Sequence, residues 1–357
     1  MKKSLLALAV LGAFAGVASA QSSVTLFGIV DLNGRYVKND GSSRRLSLSQ
    51  DGINSSRLGF RGVEDLGGGL KAGFWLEGAV SADTGTAGSK FFGRRSTVSL
   101  ISPMGELRLG RDLTASFWNQ TIYDAFGTVS LGGSLNTRQL YGGTRLDNSI
   151  SYFLPSSLGG FYGQVMVAAG EGGTTADRGG RYIGGRIGFA AGPFDVSGAY
   201  AQQRFAANTP IGSVNGASAT AFPVTVLAGE TQKTWNVGGS YDFGFLKLLG
   251  YYDHESVANA SEKMFSISTV IPFGQSEVHF GYDRSTLDRT AGTSKVDQIK
   301  ATYQYNLSKR TAMYSTVSVL NNKNGQILSI TGGSAQTALP TPGGKSQGFE
   351  VGVRHIF

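Results

Sequence analysis

The chain contains no cysteine, 8 prolines and 3 histidines in 357 residues. Without thiols there is no disulfide framework, no thiolate metal site and no cysteine nucleophile. A proline removes a ladder hydrogen bond, so their scarcity leaves long stretches free to pair as strands. Beyond the N-terminal segment no run of 18 apolar residues occurs, which excludes a membrane-spanning helix. Charged residues are sparse at 16 % and are spread through the chain rather than gathered in one basic stretch, which argues against a nucleic-acid partner.

What is plentiful is glycine, at 53 residues, with aromatics at 11 %. That mixture suits many twisted strands joined by tight turns. The N-terminus has its own pattern: Met1-Lys2-Lys3 is basic, Leu5 to Val17 is apolar or small, and Ala18-Ser19-Ala20 has the form of a cleavage site. Residues 1–20 therefore read as a secretory signal removed before Gln21. The apolar segment is shorter than the ~20 residues that span a bilayer. Residues 21–357 show no linker and no change of texture, and read as one domain.

The stretch Ser56 to Glu77 sets the repeating unit. Leu58 and Phe60 alternate with Arg57 and Arg61, then Leu70, Ala72, Phe74 and Leu76 alternate with Lys71, Trp75 and Glu77, with a tight turn at Val63 to Gly69. A period of two places one set on each face of a strand, and so short a connection returns the chain antiparallel. Alternation and turn residues together give sixteen strands. They are Val24–Val37, Ser56–Val63, Leu70–Val80, Phe92–Ile101, Glu106–Arg111, Asn148–Leu154, Phe161–Ala169, Tyr182–Ala190, Phe194–Gln202, Lys233–Tyr241, Phe245–Asp253, Lys263–Ile271, Glu277–Asp283, Asp297–Tyr305, Thr311–Leu320 and Gln347–Phe357. Tight turns follow the even strands and eight longer polar connections follow the odd ones, as in a barrel with both ends on one side.

One face of these strands is nearly free of charge: Leu26 and Val30, Phe194 and Tyr200, Trp235 and Val237, Phe280, Ile299 and Tyr303. The other carries Asp31, Arg35, Glu106, Asp253, Asp283, Lys300, Glu350 and Arg354. A barrel this wide cannot fill its middle with polar side chains and stay dry. The expected fold is therefore all-β: a 16-stranded antiparallel transmembrane barrel, oily outside and wet inside. Tyr36, Tyr200, Tyr241, Phe273, Tyr305 and Phe357 lie near strand ends and suit interfacial girdles.

The segments VTLFGIVDLNGRY, SSRLGFRGVEDLGGGLKAGFWLEG, AAGPFDVSGAY, NLSKRTAMYSTVS and GFEVGVRHIF together resemble the Gram-negative general porins of the β-proteobacterial, neisserial-like branch. The resemblance spans the chain after the leader. It implies a homotrimer in the outer membrane, passive diffusion of small hydrophilic solutes and ions, no cofactor and no enzymatic activity. Partners implied with it are outer-membrane lipid and lipopolysaccharide, and the barrel-assembly machinery. The final strand, with Phe349, Val351, Val353 and Phe357, resembles the signal that this machinery reads. The third long connection, Asp112 to Thr144, is implied to fold inward and narrow the channel, with Phe117, Trp118, Ile122, Tyr123, Phe126, Leu131 and Leu135 as anchors and bends at glycines 127, 132, 133, 142 and 143.

Carried onto this sequence, the constriction pairs wall bases with loop acids. The bases are Arg57, Arg95 or its neighbour Arg94, and Arg145 or Arg138; the acids are Asp124 and Asp112. Strand phase with Thr97 and Ser99 favours Arg95 over Arg94. Arg61, Lys71, Glu77 and Arg108 are expected on the lumen wall. An excess of arginine, whose charge persists at every relevant pH, implies weak anion selectivity. Competing readings find less. His254, His279 and His355 sit on or beside separate strands with no nucleophile motif nearby, against a barrel hydrolase. Trp75 and Tyr251 are too scattered for a sugar track, and dispersed carboxylates give no metal site beyond a calcium contact between subunits.

Overall fold

An alternating strand has one oily and one polar face, and this chain satisfies all of them at once by closing its sheet. The computed structural model describes residues 23–128, 131–140, 143–170, 180–205, 209–211, 224–330 and 339–357. The leader expected at 1–20, the bend at glycine 142 and most of the connection at 206–223 lie outside them. The wall consists of β1 (Ser23–Asn39), β2 (Arg57–Gly67), β3 (Leu70–Ser81), β4 (Arg95–Ser102), β5 (Gly105–Leu113), β6 (Arg145–Phe153), β7 (Phe161–Ala168), β8 (Tyr182–Ala191), β9 (Phe194–Arg204), β10 (Thr231–Asp242), β11 (Lys247–Val257), β12 (Ala260–Phe273), β13 (Ser276–Arg289), β14 (Gly292–Asn306), β15 (Thr311–Lys323) and β16 (Lys345–Ile356). Each strand pairs antiparallel with the next, and β16 returns to β1 in the register Ile29 opposite Ile356 to Asn39 opposite Ser346. The sheet therefore has no free edge, and its backbone groups are paired without water. Each expected strand coincides with one of these sixteen.

Strand lengths depart from expectation at one side of the barrel. The connections after β11 and β13 were expected to be long. They are two-residue turns, at 258–259 and 290–291, because β11 to β14 remain paired well past the predicted ends. Ala258 takes the left-handed backbone, φ 50°, that such a turn requires. A second departure is on the other side. Residues Arg45–Gln50 pair with the upper part of β1, from Leu32 opposite Gln50 to Val37 opposite Arg45, while β2 pairs with the lower part. The second wall strand is thus interrupted, and residues 51–56 leave the wall as a shelf.

Outside, Leu26, Val30, Phe194, Tyr200, Trp235, Val237, Phe280, Ile299 and Tyr303 are all exposed. Rings cluster at the short-turn end, as Tyr241 with Phe243 and Phe273 with Tyr303, and Phe357 lies over Gly28, which has no side chain to displace it. Inside, the polar set is in place, with one addition. Toward the long-connection end the inward residues Val257, Leu287, Val296 and Leu320 are apolar, and pack against Leu140, Leu131, Leu328 and Ile330. That part of the interior is dry rather than wet, because chain packs there.

Lysine substituted at the outward positions Val237 or Ile299 is expected to lower folding stability in lipid vesicles by about 2–4 kcal/mol, read by denaturant titration of refolding.

Candidate functional site

The segment between β5 and β6 begins with a helix, α1 (Ala115–Ile122), whose first turn is closed by the Thr114 hydroxyl accepting from the Phe117 amide. Asn119 donates to Asn236 at 2.9 Å, Gln120 to Asp253 at 2.6 Å, and the Ala125 amide to the Ser268 hydroxyl at 3.1 Å. These acceptors lie on the strand face opposite the exposed apolar set. The segment therefore runs along the inward face of β9 to β14. Tyr123 and Leu131 are fully buried in this contact.

Arg138 is the tightest of these ties. Expected as a constriction base, it is 3 % exposed and donates to Gln120 at 2.7 Å, to Asp253 at 2.6 Å and to Glu255. It fastens the segment to the wall, and the cavity it lines is only about 20 Å³. The loop acids are likewise engaged. Asp112 is buried and accepts from Arg108 at 2.6 Å, so it does not face the arginines across the channel. Asp124 accepts the amides of Phe126, Thr128 and Ser134 and lies 3.6 Å from Lys300, which is itself paired with Asp283 at 2.7 Å. Its carboxylate shapes the bend at Gly127, whose φ is 67°.

Two cavities share Ile53, Asn54 and Gly127 as lining residues. The larger, about 850 Å³, opens toward the short-turn end past Glu277, His279 and Arg354. The smaller, about 290 Å³, is lined by Arg57, Arg94 and Arg145 on the wall and by Phe117, Thr121, Thr128 and Leu135 opposite. Each arginine is positioned by its strand end. Arg57 opens β2 and donates to the Ser55 carbonyl at 2.8 Å. Arg94 lies one residue before β4 and reaches Glu77 at 2.6 Å. Arg145 opens β6 and donates to the Arg94 carbonyl at 2.8 Å. Glu77 also faces Arg57 at 3.4 Å and accepts the Trp75 indole N–H at 2.9 Å. One carboxylate thus serves two of the three guanidiniums.

Strand phase fails at Arg94 and Arg95. Arg94 is outside the strand, so alternation does not govern it, and both side chains reach the inner side. Arg95 does not line the smaller cavity; it bonds Thr97 at 2.9 Å with its guanidinium 4.6 Å from the Trp75 ring. Arg61 lies over the same ring at 5.0 Å, and Lys71 is exposed near the short-turn end. Arg108 is buried between Glu106 and Asp112, 4.0 Å above Phe153. Phe349, Val351, Val353 and Phe357 point outward.

The shelf at 51–56 was not foreseen, although Leu46-Ser47-Leu48-Ser49 alternates as a strand should. It is held by Asp31, whose fully buried carboxylate accepts the amides of Gly52 at 3.1 Å, Ile53 at 2.9 Å and Asn54 at 2.8 Å, and the Tyr314 hydroxyl. Gly52 is required there, since a Cβ would stand 1.8 Å from the Tyr314 hydroxyl. Asn54 in turn accepts from Arg354 at 3.1 Å. A closed wall, an oily exterior and a polar inner space narrowed beside three arginines make a conduit, and the model of one family, described as Gram-negative porin, matches residues 7–325.

The chain belongs to the Gram-negative porin family. It is 40 % identical, over the full length of both chains, to outer membrane porin protein 32 of Delftia acidovorans. Major outer membrane protein P.IB of Neisseria meningitidis serogroup B is 37 % identical over 116 residues, 31 % of this chain and 34 % of that one. Among solved structures, the anion-selective porin from Comamonas acidovorans superposes with a TM-score of 0.80 at 38 % identity, covering 94 % of this chain and 100 % of that one. The porin is a Gram-negative outer-membrane channel for small hydrophilic solutes and ions.

Removing Arg138 leaves Asp253 and Glu255 buried without their counter-charge, a loss of about 3–5 kcal/mol. Arg138→Ala is expected to raise hydrogen exchange in 115–140 selectively, with the wall amides of β11 remaining protected.

Proposed function

We propose that this porin is a general diffusion pore with a weak preference for anions, and that its narrowest part is the space between Arg57, Arg94 and Arg145 and the segment at 117–135. The imbalance of charge carries the reading: Arg57, Arg94 and Arg145 line the space on one side, with Glu77 and Asp51 as the carboxylates acting on Arg57 and Arg94, and no carboxylate is among the described residues on the opposite side of that space. Two unit charges 4 Å apart interact by about 1 kcal/mol in water and ~4 kcal/mol at an effective dielectric of 20. A difference of about 1 kcal/mol between anion and cation corresponds to roughly fivefold, and salt within a Debye length of ~10 Å erodes it. The anion selectivity in the description of the Comamonas structure supports this reading.

Further parts of it rest on the sequence and the family. Residues 1–20 are removed on export, and the last strand with Phe349, Val351, Val353 and Phe357 is read by the assembly machinery. Three copies associate; the exposed Leu46 and Leu48 at the upper rim of β1 give them an apolar contact. The family conducts rather than catalyses, and we assign the chain no enzymatic activity and no cofactor.

In planar bilayers under a salt gradient, the reversal potential of the unmodified protein is expected to give a few-fold anion preference. Replacing Arg57 and Arg94 by glutamine should bring the ratio toward one, as should raising the salt toward 1 M. Cation preference in the unmodified channel would contradict the reading.

A further inference from the structure

The inner wall on the short-turn side of the three arginines carries aromatic rings that conduction of simple ions does not need. Four residues on from Arg57 along β2, roughly 13 Å toward the short-turn end, Arg61 stands opposite Trp75 of β3, and Trp75 stands opposite Thr97 of β4. The Arg61 guanidinium lies 5.0 Å and the Arg95 guanidinium 4.6 Å from the centre of the Trp75 ring. The indole is fixed from two sides. Its N–H donates to Glu77 at 2.9 Å, and Phe27 meets it edge to face at 5.0 Å, in space left by Gly59, where a Cβ would stand 2.5 Å from the Phe27 ring. Arg61 is exposed, and Arg95 is half-buried and donates to Thr97 at 2.9 Å. Neither guanidinium has an ion-pair partner among the described residues. Glu77, Glu106 and Asp112 act on Arg95 from further away, and each is already bonded to Arg57 and Arg94 or to Arg108.

The pairing of cation and ring recurs further round the wall. On β8, Arg186 lies 5.2 Å from both Trp118 of α1 and Tyr162 of β7, and its Nη1 is buried without a partner among the described residues. Phe153 of β6, 6.0 Å from Trp118 and with Arg108 4.0 Å above it, lies in the wall between the two groups. A guanidinium laid on a ring keeps its N–H edge for a carboxylate and its far face for a second ring. We propose that Trp75 with Arg61 and Arg95 forms a subsite for planar aromatic carboxylates, so that the channel holds an aromatic anion in preference to a saturated one of similar size and the same charge. This rests on the general-pore reading and names the solute class which that pore favours. A cation–π contact at a half-exposed site changes affinity by roughly threefold to fivefold, enough to raise occupancy at low solute concentration and weak enough for release.

The test uses single channels of the refolded full chain in planar bilayers carrying a chloride current at neutral pH. Benzoate or cyclohexanecarboxylate is added to both sides, and the concentration of each that gives half of its maximal reduction of the current is read. Oiliness alone would leave the two equal or favour the saturated ring. In the unmodified protein benzoate should act at about fivefold lower concentration. Trp75→Leu should bring the ratio to one and Trp75→Phe should keep most of it, while R61Q/R95Q should weaken both anions. Each ratio is taken within one variant, so a change in basal conductance cancels, and R61Q/R95Q decides the matter if Trp75→Leu does not fold. No saturable effect of benzoate, equal concentrations for the two anions, or an undiminished ratio in Trp75→Leu overturns the proposal. So does benzoate acting on R61Q/R95Q as strongly as on the unmodified protein. Failure of the general-pore reading would appear separately, as an absence of chloride conductance or a cation-biased reversal potential before any carboxylate is added.

Discussion

Backbone groups cannot find a partner in hydrocarbon, and the rest of this structure depends on that constraint. It forces the sheet to close, and the pairing of β16 with β1 through eleven residue pairs is how closure is achieved. Once closed, the wall divides space into an outside that tolerates almost no charge and an inside where charge is needed to stay hydrated. The inversion of the usual oily core follows from that division, and so does a channel. Strength of the wall comes from repeated strand pairing rather than from a packed centre, which frees the inward faces to carry arginine and glutamate for transport.

The interior is then furnished in two ways. The segment between β5 and β6 is fastened by buried polar groups, chiefly Arg138 against Asp253 and Glu255, Glu262 accepting the amides of Gln139 and Leu140, and Lys300 between Asp124 and Asp283. Small apolar clusters such as Leu131 with Val296, Leu320 and Ile330 add to it. Across the open space, the wall presents arginines held by short local contacts. The two sides differ in electrostatic character because their charges do different work: those on the segment are consumed in attachment, whereas Arg57, Arg94 and Arg145 line the open space.

The fold was legible because alternation is a local property and lipid enforces it on every strand: the period of two at Trp235 to Tyr241 or Ile299 to Tyr305 needs no knowledge of what packs where. Strand ends were less legible. Pairing of β11 to β14 beyond the bilayer depends on neighbours, so the turns at Ala258 and Thr290 were hidden inside expected loops. At the site, Arg57 and Arg145 could be picked from the family pattern, but Arg138 could not be separated from Arg145 by type or position. Only the wall acids Asp253 and Glu255, more than a hundred residues away, decide that it is an anchor. Arg94 was set below Arg95 by a rule that holds within strands and stops one residue short of it. The shelf was missed because its cause, a carboxylate at Asp31, belongs to a different strand.

That carboxylate makes the aperture a vise with one jaw welded to the frame. Asp31 gathers three consecutive amides and a tyrosine hydroxyl, so Ile53 and Asn54 are as immovable as the wall, while the opposing jaw is a separate stretch of chain bolted on elsewhere. The calibre of such an opening has a ceiling: swinging the detachable side away can widen it only to the distance between the welded jaw and the far wall. Inheritance can likewise retool either jaw alone, changing what passes through the gap without remaking the cylinder around it.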